Sequence, residues 1–341
     1  MALFKKQKLP ENLIHHNDPL MQEVVERFSV AITDEALSTM QSTDLSDPVA
    51  RQYVPSVEEL TTRADEMEDP IGDTAKSPIK GIVHRYPDRV LLMPVHVCAV
   101  YCRFCFRREK VGAGNEALSP DDLKKAIAYI RNTPAIWEVI VTGGDPFVLS
   151  ARRIRELMAE LNGIEHVKVI RFHTRVPIAD PARVTDDLVE ALDSHKAVYV
   201  VVHCNHANEL TDNVRASVTR ILKVGIPVLS QSTLLRGVND TAEALEALFR
   251  QLTAIRIKPY YLHHPDRPRG TSHFRVSLKK GRELVQSLWG RMSGVAQPSY
   301  VLDIPGGHGK VQALSSVSEA GDDEYLLTDY RGKQHAYSEK P

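Results

Sequence analysis

The sequence predicts an α/β protein: a barrel or partial barrel of parallel strands and helices, with a small helical N-terminal region and a short C-terminal tail. Three observations predict it. First, short β-branched runs at 89–95, 137–142, 167–173, 197–203, 227–231, 257–262 and 300–304 alternate with amphipathic stretches at 120–132, 151–161, 185–194, 213–224, 241–252 and 277–292. Alternation of this kind makes parallel strands joined by crossover helices. Second, six or seven repeats favour a barrel over a short open sheet. Third, 341 residues suit one large domain with attachments, or two domains, and can bury a core without disulfide or metal support.

The elements follow in order. The N-terminus, MALFKKQKLPENL, has basic residues but no apolar stretch after them, so it is not read as a secretory signal. Residues 17–65 read as helical: Asp18-Pro19 opens a stretch in which Leu20, Val24, Val25 and Phe28 recur near helical spacing. A second stretch at 56–67 begins with the capping-box pattern Ser56-Val57-Glu58-Glu59. Residues 69–81, with two prolines and two glycines, read as a turn-rich connection. The boundaries expected are 1–80 for the helical region and linker, 81–312 for the barrel and 313–341 for the tail. The tail reads as strand-bearing, with Tyr325-Leu326-Leu327 and then Asp329-Tyr330-Arg331-Gly332, and would cover the barrel or a partner subunit.

Composition narrows the class. With 43 basic and 44 acidic residues the net charge is −1, which argues against a protein held to nucleic acid by bulk charge. No apolar run approaches a bilayer span; 197–202 is among the longest and reads as a buried strand. An apolar fraction of 43% and a charged fraction of 26% predict a soluble, cytoplasmic protein. Four cysteines are too few for a secreted disulfide scaffold of this size.

Three of those cysteines, Cys98, Cys102 and Cys105, stand at C-x3-C-x2-C spacing directly after the first barrel strand. In (β/α) barrels the chemistry sits at the C-terminal ends of strands. Three thiolates so close suit a soft metal or an iron–sulfur cluster. Zinc more often takes paired C-x2-C units, although His96 offers a fourth ligand by residue type. Lys310 follows the last strand in a glycine-rich loop. It is not a phosphate-binding P-loop, because Ile304 and Val311 replace the required glycine and hydroxyl residue.

With its cysteine loop, the chain resembles the radical S-adenosylmethionine superfamily, whose members hold a [4Fe–4S] cluster through this spacing and fold as partial or full barrels. Further segments resemble lysine 2,3-aminomutase and its relatives: His84 to Arg89, Arg107-Arg108, Gly143-Gly144-Asp145-Pro146, His203 to His206, Gln231 to Asp240, Pro259-Tyr260-Tyr261 and Asp303 to Lys310. The resemblance covers about 80–312 in the family's order and implies a radical S-adenosylmethionine partial (β/α)6-type barrel. It implies the cofactors: a [4Fe–4S] cluster on Cys98, Cys102 and Cys105, S-adenosylmethionine, and pyridoxal 5′-phosphate. It places Gly143, Gly144, Asp145, His203 and Gln231 at the S-adenosylmethionine. Lys310 becomes the Schiff-base lysine for pyridoxal phosphate, with Arg85 and Tyr86 beside it. His308 stands where many relatives have glycine.

The same resemblance assigns the substrate contacts. Arg107 would bind the substrate carboxylate, a task its charged fork suits. Asp266 and Asp303 would hold the ε-ammonium of lysine, and two acids there oppose a glutamate substrate. The competing reading of Asp266 is a helix cap or a pair with Arg267 or Arg269. His263 replaces a tyrosine of the clostridial-type enzymes. The implied reaction is the interconversion of L-α-lysine and β-lysine through a 5′-deoxyadenosyl radical, fed by an external electron donor. The product would be a free metabolite or β-lysine destined for elongation factor P, and an aminomutase for another amino acid is the variant reading. A zinc-stabilised binding module is the reading outside the class. The fourth cysteine, Cys204, reads as packing. The long aminomutases bind a structural zinc through extra cysteines; this chain has none after Cys204, so no zinc is expected and a homodimer is the assembly considered.

Overall fold

The computed structural model describes residues 18–112, 117–314, 317–321, 323–328 and 333–339. The signal-sequence reading of the N-terminus and the tail segment at 329–332 lie outside them. The N-terminal region is less helical than its periodicity predicts. Its described residues hold three short helices, α1 (Pro19–Arg27), α2 (Asp34–Ser38) and α3 (Ala50–Tyr53). The capping box at Ser56 is formed, with Glu59 reaching back, but it opens only a 3₁₀ turn at Val57–Leu60. The reason is tertiary. These residues spread over one end of the barrel, where Ile32, Ala36, Val49, Tyr53 and Val54 share a core with Val100 and Ala179 of the segments that follow two barrel strands.

One nine-stranded sheet follows chain order: β1 (Ile82–Tyr86), β2 (Arg89–Val95), β3 (Glu138–Gly143), β4 (Val169–Thr174), β5 (Ala197–His203), β6 (Val228–Thr233), β7 (Ile257–His263), β8 (Ser299–Ile304) and β9 (Gly309–Gln312). From β2 to β8 every neighbour is parallel. The edge strands β1 and β9 are antiparallel hairpin partners of β2 and β8. The crossovers carry α4 (Pro120–Arg131), α5 (Ala151–Asn162), α6 (Val176–Ala179) with α7 (Asp186–Glu190), α8 (Asp212–Lys223), α9 (Ala242–Ala254) and α10 (Leu278–Leu288). The sheet rolls into a nearly closed barrel, the partial barrel expected.

Each crossover has a serine or threonine N-cap. Ser119, Ser150, Thr185, Thr211, Thr241 and Ser277 all accept a backbone N–H at the start of a helix. A cap of this kind contributes about 1 kcal/mol. The helices press apolar faces onto the sheet, Ile127 and Ile130 from α4, Val218 and Ile221 from α8, Leu248 and Leu252 from α9, all in one core with the strands.

Two strands differ from the sequence reading. β1 turns into β2 through Pro87-Asp88, with Tyr86 opposite Arg89. The segment after β8, read as a glycine loop, is a short turn with Gly306 and Gly307 both at φ +83°, followed by β9. Lys310 therefore lies on a strand, opposite Asp303. In the tail, β10 (Val317–Gly321), β11 (Glu324–Thr328) and β12 (Gln334–Ser338) form a separate antiparallel sheet. It covers the barrel: Tyr325, Leu327 and Tyr337 join the main core, and Arg267 Nη2 donates to the Ser338 carbonyl at 2.6 Å.

Candidate active site

The barrel lumen is a cavity of about 780 Å³. All the candidate residues line it: Arg85, Tyr86, Cys98, Cys102, Cys105, Arg107, Gly143, Gly144, Asp145, His203, Gln231, Asp266, Asp303 and Lys310. His96 and Cys204 do not. Cys204 is fully buried.

The cysteine loop leaves the end of β2 and is clamped by one carboxylate. Glu59 takes Arg103 through Nε at 2.9 Å and Nη2 at 2.6 Å, and takes Arg108 Nη2 as well. Burial pushes the Glu59 carboxyl up, but Arg103 and then Arg108 more than offset it, leaving it below the usual range. Burial raises the Cys98 thiol well above its ordinary value and pushes Cys105 up to about 11. The donor set is three soft thiols in one loop, without a hard oxygen ligand among them, which fits an iron–sulfur cluster. Binding would have to displace protons from these half-buried thiols. Among the described residues, no three His, Cys, Asp or Glu side chains are gathered as a ready site for a single metal ion.

The glycines after β3 are required by the backbone beside them. Gly144 N donates to Val95 O at 2.7 Å, and a Cβ at Gly144 would lie 2.4 Å from Val97 O. Gly143, at φ +110°, adopts a conformation open to glycine. The close approach that the glycines permit is thus first to the cysteine loop. Asp145 is occupied too. It accepts from Thr174 Oγ1 at 2.6 Å and from the backbone of Arg175, Phe147 and Val176. Its carboxylate ties the end of β3 to the turn after β4.

Gln231 lies between two imidazoles, its Nε2 3.1 Å from His173 Nδ1 and 2.5 Å from His203 Nε2. An amide donating to both fixes the tautomers: His173 carries its proton on Nε2. That atom is buried without a partner, and His173 lines the lumen. Burial, then Arg171, hold His173 well below the usual histidine range, so it is a neutral donor. Sequence reading missed His173; its place one residue before the end of β4, on the row of Val169 and Arg171, is the signal.

At the seam between the first and last strands the charges gather. Lys310 Nζ lies 2.9 and 2.8 Å from the two oxygens of Asp303, and its backbone N–H donates to Tyr86 Oη at 2.7 Å. Arg85 Nη1 is 3.7 Å and His263 Nδ1 3.8 Å from Asp303. Burial raises the Asp303 carboxyl, but Lys310 and His263 outweigh it and hold it well below the usual range. Asp266 goes the other way: burial and then the Asp303 charge push it up to about 8.

Asp73, read from sequence as part of a turn, joins the two arginines of the site. Its oxygens take Arg85 Nη2 at 2.9 Å and Arg107 Nε at 2.7 Å. The lumen floor is polar as well, with Arg171 Nε 3.0 Å from Glu138 and Tyr260 Oη donating to Tyr261 Oη at 2.8 Å.

Comparison with known proteins adds to this geometry. Residues 92–250 match the Radical SAM superfamily model. An L-lysine 2,3-aminomutase of Methanococcus maripaludis is 39% identical over 321 residues, 94% of this chain and 74% of that protein. The L-lysine 2,3-aminomutase of Clostridium subterminale is 37% identical over 318 residues, 93% and 76% of the two chains. A glutamate 2,3-aminomutase of Clostridioides difficile is 32% identical over 322 residues, 94% and 76%.

Proposed function

Because the chain belongs to the lysine 2,3-aminomutase family of radical S-adenosylmethionine enzymes, we propose that it is an isomerase interconverting L-α-lysine and β-lysine. Its cofactors are a [4Fe–4S] cluster, S-adenosylmethionine and pyridoxal phosphate. When bound, these supply hydrogen-atom abstraction and a conjugated carrier for the migrating nitrogen. The protein binds, orients and excludes water.

Cys98, Cys102 and Cys105 hold the cluster, and the Glu59 clamp orients their loop. Gly143 and Gly144, with His203 and Gln231, face the S-adenosylmethionine, while Asp145 fixes the turn that positions it. Lys310 carries the pyridoxal phosphate, with Arg85 and Tyr86 flanking it. Arg107 turns its charge to the substrate carboxylate, steered by Asp73.

The observation that carries the choice of lysine is the pairing of Asp303 with Lys310 beside a second carboxyl, Asp266, in one lumen. Lys310 would be drawn away toward the pyridoxal phosphate it holds, which would leave the buried Asp303 carboxylate open to a new cation. The ε-ammonium of lysine provides one; the second carboxylate of glutamate would add repulsion. Replacing Asp303 or Asp266 by Asn removes a charge-assisted contact of about 1.5–3 kcal/mol, so KM for lysine should rise roughly 10- to 100-fold. Unchanged KM, or gained turnover of glutamate by the unmodified enzyme, contradicts this reading.

The substrate is a small amino acid. No helix among the described residues is long and apolar enough to cross a membrane. The remaining assignments follow from the same reading: a cytoplasmic enzyme, a homodimer, an external electron donor, and β-lysine released free or passed to elongation factor P. A mass shift on elongation factor P that disappears in a deletion strain separates those last two fates.

A further inference from the structure

Arg175 lies in the turn between β4 and α6 and is 6% exposed. Its Nη1 donates to Cys102 Sγ at 2.8 Å. Its Nη2 donates to Gln52 Oε1 at 2.6 Å and to Glu209 Oε2 at 2.7 Å. Glu209 is itself saturated, accepting from Tyr53 Oη at 3.1 Å, Gln52 Nε2 at 3.2 Å and the backbone of Asn205 and His206 at 2.9 Å each. The guanidinium lies over the rings of Tyr53 and Phe104, 4.6 and 5.7 Å from their centroids. It is a fixed positive charge in a dry setting, aimed at one sulfur of the cysteine loop. The network reaches from α3 across to the turn after β5, so nothing local to the cysteine motif announces it.

Resting on the reading that the three cysteines carry the cluster, we propose that Arg175 is a positioning residue that raises the cluster's reduction potential, and that Glu209 tempers the effect. Adding an electron makes the cluster and its sulfurs more negative. A charge-assisted N–H···S bond strengthens as that happens, so it favours the reduced state. Glu209 lies 2.7 Å from the same guanidinium and cancels part of its field. The two residues therefore act with opposite sign on one quantity, which a scaffold role for either would not produce.

The test uses the full chain, reconstituted anaerobically with iron and sulfide, as wild type, Arg175→Lys, Arg175→Met and Glu209→Gln. Iron per chain is measured first. The potential is then read by reductive titration followed by electron paramagnetic resonance, without S-adenosylmethionine. Arg175→Met should titrate at a more negative potential, Arg175→Lys between it and wild type, and Glu209→Gln at a less negative one. Iron-loaded Arg175→Met at the wild-type potential overturns the proposal and leaves the guanidinium to another partner, such as the carboxylate of S-adenosylmethionine. Glu209→Gln moving in the same direction as the arginine variants also overturns it. If Arg175→Met fails to hold iron, Arg175→Lys and Glu209→Gln decide alone by whether they move apart. A wild-type chain that takes up no iron refutes the cluster reading itself, a separate result from a wild-type potential in loaded variants.

Discussion

At the scale of single residues, the site works through carboxyls that look alike in sequence and differ in setting. Asp303 is ionised against Lys310, whereas Asp266, in the same lumen, has its carboxyl pushed up to about 8 by burial and then by the Asp303 charge. A cationic ligand prefers the ionised form of Asp266, and that form gains population as pH rises toward 8. Affinity for lysine should therefore increase from pH 6 to 8, with proton release on binding. Asp266→Asn should flatten that slope; a slope kept by the variant would assign it to another group. His173 offers a second test. Its Nε2–H is a buried neutral donor without a partner, on a ring that borders the lumen and is locked by Gln231. Because its ring is bonded to Gln231, placed at the S-adenosylmethionine, His173→Phe should weaken binding of that cosubstrate by about 2- to 10-fold, the loss of one neutral hydrogen bond, and His173→Gln should restore much of it. Calorimetric titration reads both, and equal affinity in all three proteins would leave that N–H without a ligand.

Among the elements, what was legible and what was not divide on physical grounds. The crossover helices at 120–131, 151–162, 186–190, 212–223, 242–254 and 278–288 could be read because their apolar spacing is local in sequence, although their Ser and Thr caps were not. The C-x3-C-x2-C loop could be read because its ligands lie within one turn of chain. The Glu59 clamp could not: its arginines lie 44 and 49 residues away, and locally Glu59 is only the far half of a capping box. Asp73 hid in the same way inside a turn. Arg171 and Glu138 were obscured because alternation along a strand does not say which face meets a lumen. β9 was lost because its glycine-rich turn masks four paired residues. The clamp yields its own prediction. Glu59→Gln leaves two buried guanidinium groups short of a counter-charge and should cost about 3–5 kcal/mol. Urea unfolding should show that loss, and iron retention should fall with it; full stability would show the arginines to be satisfied elsewhere.

For the whole molecule, the barrel is a rolled sheet whose outermost strands do not pair. The join between β1 and the β8–β9 hairpin is made by side chains, Tyr86 to the backbone of Lys310 on β9 and Arg85 to Asp303 on β8. The tail sheet braces the flank, with Tyr337 Oη 3.3 Å from His264 Nε2 and His335 stacked 4.2 Å from His308 in the turn before Lys310. Tyr86→Phe removes an acceptor worth about 1 kcal/mol, so amide exchange in β1 and β9 should quicken by about fivefold while β4 and β5 stay protected. Uniform quickening would mean that the strands open only when the whole barrel does. Mechanically, the molecule is a split ring and not a hoop. A hoop resists widening with every hydrogen bond around its circumference; a split ring yields at its gap and flexes through the rest. Here the gap coincides with Tyr86, Asp303 and Lys310, so opening the ring and loosening the grip of the site are the same motion.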